Sequence, residues 1–214
     1  MLAEKYRPQS FAEVIGQERV IAALRYYLDQ QAGRSGLAFL LTGPSGSGKT
    51  TLAECAAEYW GIPPAGRHKI ESATCDASTL NQLASDIYVY GPGRAGRKLY
   101  VIDEIHTVTG RAADRLLSLL ESLPSHVLLI GTTTQADWTD GILLSRWVRF
   151  GLQKVSSGAV AAHLEHVARE EGLPIPEDPQ WAAKLCKYSP TGLNVRDLLN
   201  QLPAALLAGM AAAA

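Results

Sequence analysis

Cysteine is scarce in this sequence, and its spacing excludes two kinds of cysteine-based structure. The 214 residues contain three cysteines, Cys55, Cys75 and Cys186, and no two of them form a Cys-x-x-Cys pair. Cysteine-rich zinc modules are built from such pairs, and a disulfide framework needs several cysteines at close spacing. The sequence therefore predicts three ordinary thiols.

An excess of charge and a long apolar run are also missing. Lys and Arg number 20 against 21 Asp and Glu, a net charge of −1, so contact with nucleic acid would need a local basic patch. No segment approaches the ~20 consecutive apolar residues of a membrane helix. The first ten residues, MLAEKYRPQS, carry charges and a proline, unlike a signal peptide. We expect a cytoplasmic protein with no membrane partner.

Apolar residues make up 47% of the chain, and their pattern predicts an α/β fold. Short apolar runs at 37–42, 98–103 and 126–132 are typical of buried parallel strands, with weaker strands expected in RHKIESA and WVRF. Segments with helical spacing lie between them, at 17–31, 49–60, 79–90 and 112–123. This alternation indicates a central parallel β-sheet with helices on both faces. Residues 1–16 are predicted to be irregular.

After about Gly151 the pattern contains helices only. We expect one helix over 156–171, a second opened by Asp178 and Pro179 as cap and first helical residue, and a third over 193–207. The sequence thus predicts two domains, an α/β domain over 1–152 and a small all-helical domain over 153–214.

The stretch GPSGSGKT, residues 43–50, matches the phosphate-binding pattern G-x-x-x-x-G-K-[ST] between a predicted strand and a predicted helix. Its glycines let backbone N–H groups curl around an anion, to which the helix N-terminus adds its positive end. Lys49 supplies a charge for the β- and γ-phosphates, and Thr50 a hydroxyl for Mg²⁺. The predicted binding residues here are Gly43, Pro44, Ser45, Gly46, Ser47, Gly48, Lys49, Thr50 and Thr51.

The stretch LYVIDEIH, residues 99–106, is an apolar strand that ends in two carboxylates. Beside a phosphate loop, Asp103 is predicted to hold the Mg²⁺ shell, directly or through water. Glu104 is predicted to orient or deprotonate the attacking water. A third strand ends in LLIGTTTQ, where a hydroxyl could bridge the water and the γ-phosphate.

Two arginines leave alternatives open. Arg196, near the start of the last predicted helix, is either a nucleotide contact or a solvated side chain paired with Asp197. Arg146 lies among apolar residues in ILLSRWVRF, where a charge is costly unless it is paired. It either pairs with a local carboxylate, such as Asp137 or Asp140, or serves an anion on another chain.

These motifs, in this order, resemble the AAA+ ATPase module of bacterial DNA polymerase III clamp-loader motor subunits (gamma/tau-like). The resemblance runs from about Glu4 to Leu207. It is carried by EKYRPQSFAEVIGQERV, GPSGSGKTTLAE, DIYVYGPGRAGRKLYVIDEIH, LLSLLESLPSHVLLIGTTT, ILLSRWVRF and GLNVRDLLNQL. It implies a P-loop AAA+ domain followed by a helical lid, with ATP and Mg²⁺ in the cleft between them.

The resemblance also implies roles for particular residues. Residues 43–50 correspond to Walker A, and Asp103 with Glu104 to Walker B. Thr133 takes the place of the first sensor residue and Arg196 that of the second. Ser145-Arg146 matches a Ser-Arg-Cys motif of the family, with Trp147 in place of the Cys. In that family the arginine of the motif reaches the γ-phosphate bound by the neighbouring subunit. The adenine pocket is implied at Tyr6, Arg7, Pro8, Val14 and Ile15.

A DNA contact is expected in GRAGRK, where the resembled family places a backbone contact at Arg94. Arg97 and Lys98 extend this patch, helped by Arg111 and Arg115. The alternative is a solvated turn. The expected partners are primer-template DNA, a sliding clamp or other replication proteins, and further AAA+ subunits.

Two departures from the family bear on assembly. The segment between Walker A and Walker B carries one cysteine instead of a four-cysteine zinc module, and the chain stops after the lid, without a helical collar. It is therefore a fragment, or assembles through another partner, or is a minimal relative from a phage or mobile element. Two alternative functions stay open, a non-hydrolysing structural loader subunit and a branch-migration or other AAA+ motor.

Overall fold

The computed structural model describes residues 1–30, 35–71, 74–135, 144–188 and 194–213. In chain order its helices are α1 (Leu2–Lys5), α2 (Glu18–Asp29), α3 (Lys49–Tyr59), α4 (Ala77–Asp86), α5 (Arg111–Glu121), α6 (Ser157–Glu170), α7 (Trp181–Tyr188) and α8 (Val195–Ala213). Its strands are β1 (Leu37–Thr42), β2 (Arg67–Glu71), β3 (Lys98–Asp103), β4 (Val127–Thr133) and β5 (Val148–Gly151).

The five strands form one sheet in the order β2-β3-β4-β1-β5, and every neighbouring pair is parallel. This confirms the predicted α/β class with a central parallel sheet. The interior strands are nearly continuous apolar runs, as strands covered on both faces must be.

Side-chain alternation along the strands divides the α/β core into two layers. In β1, Phe39 and Leu41 join a cluster with residues of α2 and α3, whereas Ala38 and Leu40 join a cluster with residues of α4 and α5. Successive side chains of a strand point to opposite faces. The sheet is therefore the middle of three layers, and α3, which follows the phosphate loop, lies on the first face.

A third apolar cluster unites α6, α7 and α8, and residues of α1 pack against it. Ser156 caps α6 as predicted, its hydroxyl accepting a hydrogen bond from the N–H of Ala159 (3.3 Å). The prediction that residues 1–16 are irregular was wrong for α1. This short helix has distant partners that sequence spacing does not reveal, such as Asn200, whose Oδ1 accepts from the N–H of Ala3 (3.3 Å).

Two predicted helix boundaries differ from the structure. The helix expected over 79–90 ends at Asp86, and exposed turn residues, including Tyr88 and Tyr90, follow it. The helix expected to open at Asp178 begins at Trp181, because the Asp178 carboxylate accepts from the N–H of Gln180 (3.0 Å) and forms a turn first. None of the described helices combines the length and the apolarity needed to cross a bilayer.

Candidate nucleotide-binding site

The predicted motifs meet because of the strand order. β3, β4 and β1 are neighbours and run in the same direction. Their carboxyl ends therefore bring the acidic pair, the threonines and the phosphate loop to one edge of the sheet, where ligands bind in open α/β sheets.

The phosphate loop has the geometry of an anion cradle. Gly46 (φ 74°) and Gly48 (φ 93°) adopt left-handed backbone conformations that residues with a side chain rarely adopt. Between them, the Ser47 hydroxyl is buried and has no hydrogen-bond partner among the described residues. Buried polar atoms normally have partners. A loop that leaves this hydroxyl unsatisfied at a helix N-terminus fits a bound phosphate.

Lys49 opens α3 and is 8% exposed. Its ammonium donates to the carbonyl oxygens of Gly43 (2.8 Å) and Pro44 (3.1 Å) within the loop. Burial lowers the pKa of Lys49, although the Glu104 and Asp103 carboxylates oppose that shift. A phosphate in the loop would compete with these two carbonyls for the ammonium.

Asp103 ends β3 with both carboxylate oxygens engaged. Oδ1 accepts a short hydrogen bond from the Thr132 hydroxyl, and Oδ2 lies 3.0 Å from the Lys69 ammonium. Burial raises the pKa of Asp103, but Thr132 and Lys69 outweigh it and leave the pKa below its ordinary value. The carboxylate is therefore held ionised and fixed in orientation, as a magnesium ligand must be.

Glu104 is held by the end of β4. Its Oε2 accepts hydrogen bonds from the backbone N–H (3.1 Å) and hydroxyl (3.0 Å) of Thr134 and lies 3.2 Å from Nδ1 of His106. The Glu104 backbone is left-handed (φ 51°), an uncommon state for a residue with a side chain. Such strain is tolerated where the surroundings fix it, and here it aims the carboxylate along the edge of the sheet.

The Thr133 hydroxyl has partners within the protein, and its predicted contact with the attacking water and the γ-phosphate stays a prediction. Thr133 is completely buried, and its hydroxyl lies 2.9 Å from Nδ1 of His106 and accepts from the N–H of Gln135 (3.1 Å). The contact with the Glu104 carboxylate belongs to the next residue, Thr134. The reason is the pleat of β4, which points successive side chains to opposite faces.

A cleft of about 460 Å³ lies between the phosphate loop, the N-terminal segment and the helical lid. The residues predicted to bind nucleotide that line it are Tyr6, Arg7, Pro8, Val14, Ile15, Gly46, Ser47, Gly48, Thr51 and Arg196. The Tyr6 hydroxyl donates to Glu171 of the lid (2.7 Å), which raises the pKa of Tyr6 to about 12. Tyr6, one of the residues predicted to line the adenine pocket, therefore contacts the helical cluster of α6, α7 and α8.

The lid reaches the phosphate loop through the start of α8. Asn194 lies directly against Gly46, where an added Cβ would come within 2.6 Å of the Asn194 side chain. Arg196, two residues onward, is exposed at the cleft, and its guanidinium has no ion pair with any described residue, Asp197 included. A nucleotide contact, the first of the two alternatives for Arg196, stays a prediction, and the exposed position at the cleft is compatible with it.

Arg146 lies at the opposite end of the sheet from the phosphate loop. It precedes β5, whose first residue, Val148, is aligned with Phe39 of β1. From Val148 to Gly151, which is aligned with Thr42 before the loop, the strand rises about 10 Å at ~3.3 Å per residue. Its guanidinium pairs with Glu121 at the end of α5 (2.9 Å), and both side chains are about half exposed. Asp137 and Asp140, the carboxylates considered from sequence, lie outside the described residues.

Two of the three cations of the predicted DNA patch are engaged within the protein. Lys98 is buried, and its ammonium is bound by the Asp86 carboxylate (2.9 Å). Arg97 stacks over the Trp60 ring at 4.5 Å and donates to the Trp60 carbonyl. Only Arg94 remains exposed and without an ion pair to the described residues, so the structure corrects the patch to one cation. Arg111 and Arg115 are exposed on α5.

Sequence patterns did not reveal several side chains at the site. Thr132 and Thr134 belong to a threonine run that the sequence showed, but their partners depend on the pleat. Lys69 lies on a strand whose neighbour could not be predicted, because the order of strands is not written in a motif. His163 of α6 lines the cleft, and no sequence signal distinguished it.

A family model and curated relatives both match this chain. Residues 39–154 match the family model described as ATPase family associated with various cellular activities (AAA). The DNA polymerase III subunit gamma of Buchnera aphidicola (subsp. Acyrthosiphon pisum) is 30% identical, over 98% of this chain and 62% of the relative. The tau subunit of Escherichia coli is 31% identical, over 98% of this chain and 35% of the relative. The chain thus spans from about a third to six-tenths of these relatives.

Solved structures with the same fold include the Thermotoga maritima RuvB Holliday junction branch migration motor. That structure has a TM-score of 0.71 and 22% identity, over 97% of this chain and 72% of RuvB. A RuvB mutant has a TM-score of 0.74 and 23% identity, over 97% of this chain and 73% of the mutant chain. At such low identity the likeness concerns the fold alone.

Proposed function

The chain belongs to the ATPase family associated with various cellular activities (AAA), and from that membership we propose that it binds and hydrolyses ATP in the cleft between the α/β domain and the lid. We further propose that this reaction drives the loading or remodelling of a DNA-bound replication assembly, with sliding-clamp loading as the leading case. Similarity to DNA polymerase III gamma and tau subunits supports the second step.

One observation carries the ATP proposal. The phosphate loop presents a buried Ser47 hydroxyl that has no partner among the described residues, and the neighbouring strand ends hold the Asp103 and Glu104 carboxylates in fixed orientations. A phosphate-binding loop beside one fixed carboxylate for a metal and a second for water is the set of parts that nucleotide hydrolysis uses.

The residues also fit a magnesium ion. Thr50 and Asp103 would hold it, both through oxygen atoms, with phosphate oxygens and water completing the shell. The described residues contain no cluster of three or more metal-binding side chains, which accords with a metal held largely by its substrate. When bound, Mg²⁺ supplies neutralisation of phosphate charge.

The protein's own groups divide the remaining work. The Lys49 ammonium exchanges its hydrogen bonds to the loop carbonyls for hydrogen bonds to phosphate oxygens. Glu104, fixed by Thr134, orients the attacking water and accepts its proton. Arg196 adds positive charge when the lid closes. Arg146 precedes the amino end of β5, whereas the phosphate loop follows the carboxyl end of β1, and it is proposed to serve a neighbouring subunit.

The test separates binding from turnover. Lys49→Ala removes a ground-state phosphate contact, so ATP affinity should fall. Glu104→Gln removes the group that acts on water, so affinity should persist while hydrolysis falls by about 10²–10⁴. Titration calorimetry and phosphate release measure the two quantities. Equal loss of binding in both variants contradicts this division of roles.

Two other functions make different predictions. A structural subunit would bind ATP without turnover, although the retained Lys49, Asp103 and Glu104 argue against it. A branch-migration motor would be stimulated by four-way junctions rather than by primed template DNA. Stimulation of ATPase by each DNA, at equal salt, distinguishes these functions.

A further inference from the structure

The residue that most clearly lacks a role in the proposed chemistry is Lys69. It lies on the edge strand β2, which parallel pairing places beside β3. Lys69 is aligned with Val101, and Val101 faces the layer that contains α3. Since side chains two residues apart share a face, Lys69 and Asp103 lie on the same side of the sheet as the phosphate loop.

The contact between them is direct. The Lys69 ammonium lies 3.0 Å from Oδ2 of Asp103, and the Thr132 hydroxyl holds Oδ1. The Lys69 side chain is about half exposed, whereas that of Asp103 is 27% exposed. The cation can therefore leave for water without breaking the core, while the carboxylate stays in place.

This corner of the sheet has a surplus of negative charge. Glu71 is aligned with Asp103 across β2 and β3, and Glu104 follows Asp103 directly. Lys49, the other cation nearby, donates to loop carbonyls instead. Like charges at short range repel one another. Lys69 is the described cation that offsets this repulsion by direct contact with Asp103.

We propose that Lys69 is a displaceable counter-ion of the magnesium site. Its ammonium pairs with Asp103 and leaves this carboxylate when Mg²⁺ enters with nucleotide. This inference rests on the proposed function, since it takes Asp103 as a magnesium ligand. The exchange replaces one positive charge with two at the same carboxylate. Lys69 thereby offsets part of the negative charge of this corner between turnovers and sets the Mg²⁺ concentration at which nucleotide is retained.

The test measures binding, without relying on turnover. A fluorescent ADP is titrated at increasing Mg²⁺ concentrations, and the Mg²⁺ midpoint for nucleotide retention is determined. In Lys69→Met the competitor is removed, so the midpoint should fall by about fivefold, the factor that a partly exposed ion pair is worth. Lys69→Arg keeps the charge and should stay near the wild-type midpoint. Lys69→Gln provides a second neutral variant if Lys69→Met folds poorly.

A matched control exists on the lid. Lys184 pairs with Asp178 at 2.7 Å with similar exposure, far from the sheet edge, so Lys184→Met should leave the midpoint unchanged. An unchanged or raised midpoint in both neutral Lys69 variants overturns the proposal. If the wild-type protein retains nucleotide equally well without Mg²⁺, the assignment of the metal site fails instead. The two failures are therefore distinguishable.

Discussion

Charged groups at the carboxyl edge of the sheet and exposed cations elsewhere differ in how many partners they have within the chain. At the edge, Asp103 and Glu104 each have polar partners within their own chain, supplied by Thr132 and Thr134. Among the exposed cations, Arg94 and Arg196 have no ion pair with described residues, and Arg146 has one exposed partner. The two carboxylates that we propose act on metal and water are therefore fixed in advance, whereas the cations that we propose contact a phosphate are left available.

The energetics explain this division. A fixed group loses no further freedom when the reaction occurs, so pre-organisation favours rate. An exposed ion pair such as Arg146 with Glu121 is worth at most ~1 kcal/mol, and a phosphate can outcompete it. Substitution of Arg146 should therefore lower the rate greatly without destabilising the fold. Substitutions at the sheet edge should affect both the stability and the rate.

The largest effect is expected at Arg146. Arg146→Ala should lower kcat in the assembled protein by about 10³–10⁵, the range of an arginine finger. Its melting temperature and ATP affinity should change little, because the side chain is half exposed. Glu121→Ala is the matched control, since it breaks the same ion pair but keeps the arginine. A comparable loss of kcat in Glu121→Ala would mean that the ion pair itself is what matters.

A smaller effect is expected at Thr134. Thr134→Val removes one hydroxyl that holds Glu104, and a misplaced base costs up to about 10²-fold in rate. We expect kcat to fall by about 10- to 100-fold with ATP affinity unchanged. Thr107→Val changes a threonine whose hydroxyl bonds to the Glu104 backbone carbonyl instead. If Thr107→Val is equally slow, the rate does not depend on the contact with the Glu104 carboxylate.

Thr132 should affect stability. Thr132→Val removes the donor to Oδ1 of Asp103 from a completely buried position. Leaving a part-buried acceptor short of a partner costs about 1–3 kcal/mol. Urea unfolding should show this loss as a lower midpoint with an unchanged slope. A stability within ~0.5 kcal/mol of wild type would show that the short hydrogen bond contributes little.

The smallest effect is expected at Arg94. If this exposed cation contacts a phosphate, Arg94→Ala should weaken DNA binding equally for all sequences and reduce the salt slope by about 1. Lys98→Ala should leave the salt slope unchanged and lower stability, because Lys98 is buried with Asp86. Fluorescence anisotropy at several salt concentrations measures both. An unchanged salt slope of DNA binding in Arg94→Ala would show that Arg94 does not contact a DNA phosphate.

Local patterns predicted the elements well, since the strands at 37–42 and 98–103 have the expected bounds. The glycine pattern and the acid pair are local too, and the sequence predicted them as sites. Side-chain pairing depended on strand order and pleat. The threonine run did not show which residue would contact the Glu104 carboxylate, a contact that the pleat of β4 gives to Thr134. The basic run predicted an exposed Lys98, which is instead buried beside Asp86. Neither outcome is encoded in residue spacing.

The most direct test of the central claim mixes two inactive proteins. A Glu104→Gln subunit has a site without turnover but an intact Arg146, and an Arg146→Ala subunit has an intact site without an arginine to lend. If Arg146 completes the site of a neighbouring subunit, mixed assemblies should regain part of the ATPase activity. No regain, in a mixture shown by mass photometry to co-assemble, would contradict this and place the action of Arg146 within its own chain.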